Sequence, residues 1–352
     1  MPEMSVIVLN WNGKHFLETC LTALRRQTFR DFETILVDNG STDGSVEYAR
    51  AKFPEVNVVA LSENVGFAAG NNAGYKQARG NLIVLLNNDT EAEPQWLKEI
   101  YKTAQDFPAV GTFASKMLYF DERSRIDNCG FGLTSAGLAV DHGRGEQDGP
   151  GWSERRKVFG ACAGAAAYRR SMLERIGFLD PDFFTFYEDV DLSFRAQLVG
   201  YECVFVPHAI VYHRYRATMN KYPARQIFLT QRNVEFVYLK NLPLGLMLLS
   251  LPQRLAYEIG GAAYFIKLGV GAAFLKGKID ALRQVPALLR KRGQVQREKI
   301  VTNGYLRSVM QSGWFASKWR KLVSAWRGPS QAALPASQSA SLGTGRMSTL
   351  GK

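Results

Sequence analysis

The stretch LIVLLNNDTEAEPQWL, residues 82–97, runs from five apolar residues straight into Asn87, Asn88 and Asp89. A continuous apolar run bounded by turn residues reads as a strand buried on both faces. Pro94 stands where a first helical turn begins, which predicts a helix to about Phe107. Two readings of the strand's end stay open. One is a turn, where Asn and Asp are common. The other is an oxygen ligand delivered to a metal at the edge of a sheet.

The same alternation runs through the first 120 residues. SVIVLN (5–10), FETILVD (32–38), VNVVAL (56–61), NLIVLLN (81–87) and VGTFASKML (110–118) read as strands. Between them, helices are predicted over 14–27, 45–53 and about 67–79, the first with Phe16, Cys20, Leu21 and Leu24 on one face. Strands separated by helices imply an α/β fold with a mostly parallel central sheet flanked by helices. In such sheets ligands bind at the carboxyl ends of the strands. The unusual polar residues lie there: Asn10–Asn12, Asp38–Ser41, Glu63–Asn64 and Asn87–Asp89.

Downstream, residues 121–160 are rich in Gly, Asp and Arg and predict hairpins and a mobile loop. Residues 188–201 predict a helix, 202–213 a strand pair or extended segment, and about 222–240 another helix. The character changes after 241. The segments 242–252 and 260–275 are strongly apolar, but Arg254, Glu258 and Lys267 interrupt the region, so no run reaches the ~18–20 residues of a membrane span. From Lys276 to Arg327 there are 13 Lys and Arg against two acids, a surplus of eleven that accounts for most of the net +12. Apolar helices beside a basic block, with Trp314, Trp319 and Trp326 following, predict an extension over 241–327 that lies on a membrane surface. The alternative is an extension packed on the body with a solvated basic face. No recognisable nucleic-acid-binding fold accompanies the block, so no nucleic-acid partner is expected. Residues 328–352 are polar, of low complexity, and predict a disordered tail. Four scattered cysteines without a CxxC pair, and a start without a basic, apolar leader, predict a cytoplasmic protein with free thiols.

Three pieces carry candidate chemistry. Asp38, at a strand end, can accept the imide N–H of a uracil or thymine ring, or form an Asx-type turn capping the next helix. Asp89 can ligate a divalent cation that offsets the charge of a leaving diphosphate, with Asn87 as a weaker neighbour. Glu188 and Asp189 open a helix, as dipole complements or as reactive carboxylates. Of only four histidines, His208 and His213 flank a short apolar run, and a histidine at a strand end beside carboxylates is a ligand candidate.

Seven segments in order, SVIVLNWNG, TILVDNGSTDGS, ENVGFAAGNNAG, LLNNDT, GACAGAAAYRRSMLERIGFLDPDFF, FYEDVDLSFRAQLVGY and IVYH, resemble the family 2 inverting glycosyltransferases of the GT-A fold, in particular the bacterial rhamnosyltransferase-like branch. The resemblance spans about residues 4–240 and implies a GT-A domain (1–240) with a C-terminal helical extension. It implies that Asp38 holds the nucleotide base over the backbone of Leu9, Asn10 and Trp11. Asn64, Gly66 and Asn71 would lie near the ribose or diphosphate, with Asn87 and Asn88 also on the donor. Asp89 and His213 would bind Mg²⁺ or Mn²⁺. Asp189 would be the general base, with Glu188 beside it. This chain has Asn87-Asn88-Asp89 in place of the family's Asp-x-Asp, so a lower metal affinity is expected. It lacks the Gln-x-x-Arg-Trp motif of processive synthases; QRNVEF (231–236) is a different pattern. Addition of one or a few sugars is therefore expected. The implied donor is a nucleotide-diphospho-sugar, dTDP-L-rhamnose or a UDP-sugar. The implied acceptor is a polyprenyl-linked or cell-surface glycan at the inner face of the plasma membrane, for cell-wall or polysaccharide biosynthesis.

Two rivals can be weighed on the same residues. A dinucleotide oxidoreductase would need G-x-G-x-x-G after the first strand, where NWNGKHF offers one glycine. A catalytically inactive, membrane-associated nucleotide-sugar-binding scaffold would tolerate loss of both Asp89 and Asp189.

Overall fold

The first strand, β1 (Met4–Asn10), is apolar without alternation because both its faces are covered. A computed structural model of the chain describes residues 1–214 and 223–311. The expected tail and the three tryptophans after residue 313 lie outside the described residues. In chain order β1 is followed by α1 (Lys14–Arg25), β2 (Phe32–Asn39), α2 (Ser45–Lys52), β3 (Asn57–Leu61), α3 (Gly66–Gln77), β4 (Leu82–Asn87), β5 (Thr90–Ala92) and α4 (Trp96–Asp106). Next come β6 (Thr112–Tyr119), β7 (Ile126–Asn128), β8 (Phe131–Leu133), β9 (Ala139–Asp141), β10 (Arg156–Val158), β11 (Ala165–Arg169), α5 (Arg170–Ile176), α6 (Glu188–Leu198) and β12 (Cys203–His213). Five helices close the described chain: α7 (Pro223–Asn241), α8 (Leu244–Lys267), α9 (Gly271–Arg283), α10 (Val285–Glu298) and α11 (Asn303–Val309).

The main sheet has the order β10-β12-β6-β11-β4-β1-β2-β3, with β5 on β12 and β7 on β6. β3, β2, β1 and β4 are parallel. β11 runs antiparallel between β4 and β6, so its entry, residues 163–164, lies at the carboxyl end of β4. Of the two readings of 202–213, a strand pair or an extended segment, the second holds, as one strand. β12 pairs with β6 on both sides of an irregularity between Val206 and Ile210. Pro207, which has no N–H for a ladder, sits in that break. Residues 121–160 form β7, the β8–β9 hairpin and β10.

Three apolar clusters hold these layers. One face of the sheet buries Leu17, Leu21 and Leu24 of α1 and Trp96 of α4; Leu17, and not the expected Phe16, takes the inward place. The other face packs on α3, α5 and α6. On α3, Gly74 lets the helix approach so closely that a Cβ there would meet Ile7 at 2.6 Å. The third cluster joins the outer side of α6 to the hairpin and to α7–α11, through Phe194, Phe236, Leu242, Leu288 and Leu306. α6 is therefore buried nearly all round. Its charges are paired inside: Arg195 to Asp191 at 2.8 Å, and Asp191 to Lys240 of α7 at 2.8 Å. α7 runs on to Asn241, whose amide also donates to Asp191 at 2.8 Å. No helix among the described residues is long and apolar enough to cross a membrane.

Candidate active site

At the carboxyl ends of the parallel strands, side chains form a chain of hydrogen bonds across three neighbours. Asn10 ends β1 opposite Asp38 of β2. The fully buried Asn10 donates from Nδ2 to Asp38 Oδ1 at 3.0 Å and accepts at Oδ1 from Asn88 Nδ2 at 2.7 Å. Asp38 Oδ2 accepts from the Ser41 N–H at 2.9 Å, so the Asx-type turn is formed. An Asn10 amide aimed at Asp38 can only present its oxygen to residue 88, which must then donate. Gly13 makes room for this: a Cβ there would lie 2.2 Å from Asn88 Nδ2. Leu9 and Trp11 are half-buried beside the chain.

Beyond β2, Asn39 donates to Asn64 Oδ1 at 3.1 Å and accepts from the Val65 N–H at 3.0 Å. Asn64 in turn accepts from the Gly66 N–H at 2.9 Å. Gly66 has φ +88°, and a Cβ there would strike the Phe184 carbonyl and ring at 2.6 Å. Asn71 is not among the residues brought together. It is buried within α3, its amide donating to Phe67 O at 2.9 Å.

After β4 the chain turns through Asn87 and Asn88 into β5, which pairs Thr90 with His213. Asp89 and His213, 124 positions apart, thereby meet, with Asp89 Oδ1 3.4 Å from His213 Nε2. The far nitrogen, Nδ1, lies 2.7 Å from Oδ2 of the buried Asp127. Burial alone would hold the His213 imidazole neutral, but the two carboxylates outweigh it and push its pKa up to about 9. Asp89 Oδ1 is buried and lacks a hydrogen-bond partner. A carboxylate oxygen that makes no hydrogen bond and an imidazole nitrogen beside it, the ring oriented from behind by a second carboxylate, are oxygen and nitrogen donors of the kind a divalent cation takes. Among the described residues no group of three or more His, Cys, Asp and Glu side chains forms a site ready to hold one.

The third piece is the start of α6. Asp189 Oδ2 accepts from the Ala163 N–H at 3.1 Å and Oδ1 from the Val190 N–H at 2.8 Å. Burial raises its pKa to about 6; those amides oppose the shift, and Asp141 of the hairpin adds to it. Glu188 is buried, with Oε2 unpartnered, and is held well above the carboxylate range by burial and then by Asp189 and Asp191. Two consecutive residues link this piece to β4. Ala163 N–H donates to Asp189, and the carbonyl of Gly164 accepts from the Asn87 N–H at 2.9 Å.

The segment before α6 is strained. Phe184, Phe186 and Tyr187 all have positive φ. Phe184 (φ 62°, ψ −67°) is the centre of a γ-turn closed by Thr185 N–H to Phe183 O at 2.7 Å. Asn233 of α7 holds it: its Nδ2 donates to the carbonyls of Phe183, Thr185 and Phe186 at 2.9, 2.9 and 2.7 Å. Arg232 adds bonds to Asp182 O and Phe183 O. The sequence reading missed Asp127, Asp141 and Asn233. The first two sit in the weakly patterned stretch 121–160. Asn233 lies in QRNVEF, where an Arg-Asn pair inside a predicted helix was the only signal; its burial appears only in the structure.

Comparison with known proteins adds the family. Residues 5–177 match the family model described as Glycosyl transferase family 2. The chain is 28% identical over 227 residues to the O-antigen biosynthesis protein RfbC of Myxococcus xanthus, covering 62% of this chain and 18% of that protein. It is 24% identical over 250 residues to an N-acetylglucosaminyl-diphospho-decaprenol L-rhamnosyltransferase of Mycobacterium tuberculosis, covering 64% and 80%. Several curated relatives are thus much longer than the matched part; the chain spans 25% of the protein y4gI of Sinorhizobium fredii. In fold it resembles GalNAc-T7, solved with UDP, GalNAc and Mn²⁺, at a TM-score of 0.54 and 17% identity over 67% of this chain and 47% of that one.

Proposed function

The chain belongs to glycosyl transferase family 2, and from that premise we propose that it moves a sugar, with inversion, from a nucleotide-diphospho-sugar to a hydroxyl of a lipid-linked or cell-surface glycan. dTDP-L-rhamnose or a UDP-sugar is the donor. The observation that carries this reading is the joint at residues 163–164, which ties Asp189 and the end of β4 to neighbouring residues. A base and a donor motif far apart in sequence are thereby held on one short piece of backbone.

Asp38 receives the imide N–H of the base, held in register by Asn10 and Asn88. Asn64 and Gly66 line the donor side. Asp89 and His213 would hold a divalent cation, Mg²⁺ or Mn²⁺, with Asp127 orienting the imidazole; such a cation offsets the negative charge of the diphosphate. Asp189 takes the proton from the acceptor oxygen as that oxygen bonds to the anomeric carbon. The bond from that carbon to the diphosphate breaks, and its electron pair leaves with the diphosphate. With a pKa near 6, Asp189 is ionised at neutral pH yet remains a useful base. Burial and then the charge of Asp189 push the Glu188 carboxyl well above its usual range, which disfavours a second negative charge beside the base. The protein works at the inner face of the plasma membrane as a peripheral protein, where a polyprenyl-linked acceptor is presented.

The test is a thermal-shift panel of dTDP-, UDP- and GDP-sugars with and without Mg²⁺ or Mn²⁺. The reading expects a rise for one uracil- or thymine-containing donor that EDTA abolishes, together with slow donor hydrolysis. Binding without any turnover would favour the inactive scaffold, and no response to any donor would sink the proposal.

A further inference from the structure

The basic block between Lys276 and Arg297 divides into two populations. Lys278 is paired to Glu235 and Glu258, Lys291 to Asp180 and Asp182, and Arg292 donates to the carbonyls of Leu239 and Leu242. These cations fasten α9 and α10 to the body. Lys276, Arg283, Arg290 and Arg297 are exposed and make no ion pair with a described residue. They recur every seven residues. Seven residues fall ~20° short of two helical turns, so they share a face.

The register carries through the α9–α10 junction. Gln284 is α-helical there, donating to Asp280 O at 3.2 Å and accepting from the Leu288 N–H at 3.0 Å. Immediately before three of the four cations stand Leu275, Leu282 and Leu289, which are 58%, 69% and 53% exposed. Along α8, Leu244, Leu248, Leu251, Leu255, Ile259 and Ile266 form a second exposed stripe. No charged residue of α8 is exposed before Lys267. α8 and α9 are packed together through Phe265 on Phe274, so the two stripes belong to one helical layer.

We propose that this layer docks on a bilayer surface rich in anionic headgroups, with the α8 and α9 leucines entering the interface and Lys276, Arg283, Arg290 and Arg297 pairing with lipid phosphates. Charge decides between the candidate occupants. Leucines every seven residues also suit a second copy of the helix. In a symmetric pair, however, the same four cations of each copy would line the seam and repel. The chain's own segment 312–327 carries Lys318, Arg320, Lys321 and Arg327 and no acid, so it repels the stripe as well. An anionic surface complements it, and exposed apolar side chains gain by leaving water there. The inference rests on the proposed lipid-linked acceptor, since docking would hold the site beside a membrane-borne substrate.

The experiment is sedimentation of the full chain with vesicles of phosphatidylcholine alone or with about 30% phosphatidylglycerol. Binding to the anionic vesicles should be at least about tenfold tighter and should weaken as salt shortens the Debye length below about 10 Å. Arg283→Glu with Arg290→Glu, and separately Leu248→Gln with Leu255→Gln, should each lose at least about tenfold in that binding. Both should keep the thermal midpoint and the donor-induced shift of the parent, which tells a failure of docking from a failure of the glycosyltransferase reading. Three results would overturn the proposal: no binding to anionic vesicles, binding unchanged in the Arg283/Arg290 variant, or a dimer in light scattering that the leucine variant dissolves without any vesicle binding.

Discussion

Asp189 carries the clearest pH signature of any residue in the site. Its folded pKa lies at about 6, above the ordinary 3.8. A carboxyl raised on folding contributes stability that is fully present below its unfolded value and lost as pH climbs through the folded one. The protein should therefore lose on the order of 2 kcal/mol between about pH 4 and pH 7 on account of this group, and Asp189→Asn should flatten that slope in melting scans. Activity runs the other way: kcat should rise with an acid limb near pH 6, and Asp189→Asn should lower it by about 10²–10⁴. The relay from Asn88 to Asn10 to Asp38 makes a second residue-scale claim. In Asn88→Asp the residue can no longer donate, and its charge faces the Asn10 oxygen. UDP or dTDP should bind about 10- to 100-fold more weakly by calorimetry, with Asn88→Ala in between. Equal affinity in Asn88→Asp and the parent would unseat the relay. Asn88 was picked out as a donor-side candidate from its motif. Its partner was not, because 78 positions separate it from Asn10 and only strand pairing brings them together.

At the scale of elements, the join between α6 and α7 matters most. The γ-turn at Phe184 and the left-handed Phe186 and Tyr187 are unfavourable on their own, by about 1–3 kcal/mol each. They persist because one buried amide donates to three of their carbonyls. Asn233→Ala should lower stability by about 2–4 kcal/mol in denaturant titration and slow turnover, since the turn that delivers Asp189 is released. Asn233→Asp is nearly the same size but sets a carboxylate against three carbonyls, so it should be worse than alanine. If the two variants behaved alike, packing and not hydrogen bonding would hold the turn. The elements themselves were readable. β1, β2 and β4 fall within a residue or two of their predicted ranges, because apolar runs ending in Asn or Asp are local signals. β12 was readable as extended chain over 202–213, but whether it was one strand or two was not, since the break at Pro207 is settled only by pairing with β6.

Across the whole molecule, the helices after residue 241 are built into the body. They share the third apolar cluster with α6 and the hairpin, and Lys240 bridges Asp191 and Asp180, the latter also paired with Lys291 of α10. Ending the chain at residue 241 would strand Glu235 of α7, whose partners Arg254 and Lys278 lie beyond it, and would uncover the third apolar cluster. A chain ended after Asn241 should therefore be insoluble or lack a cooperative melting transition. A well-folded, donor-binding 1–241 fragment would refute this. The sequence alone determined the α/β alternation, the strand ends that carry polar residues, the family resemblance and the presence of a basic, apolar C-terminal region. Each of these is written in residue type and short-range spacing. Only the tertiary structure decided that Asp127 stands behind His213, that Asn233 grips the turn before Asp189, and which cations of the basic block face outward. Those pairings join residues 86, 47 to 50 and 43 to 111 positions apart. Composition and periodicity do not encode such distances; they exist once the sheet has closed and both sides of α6 are covered.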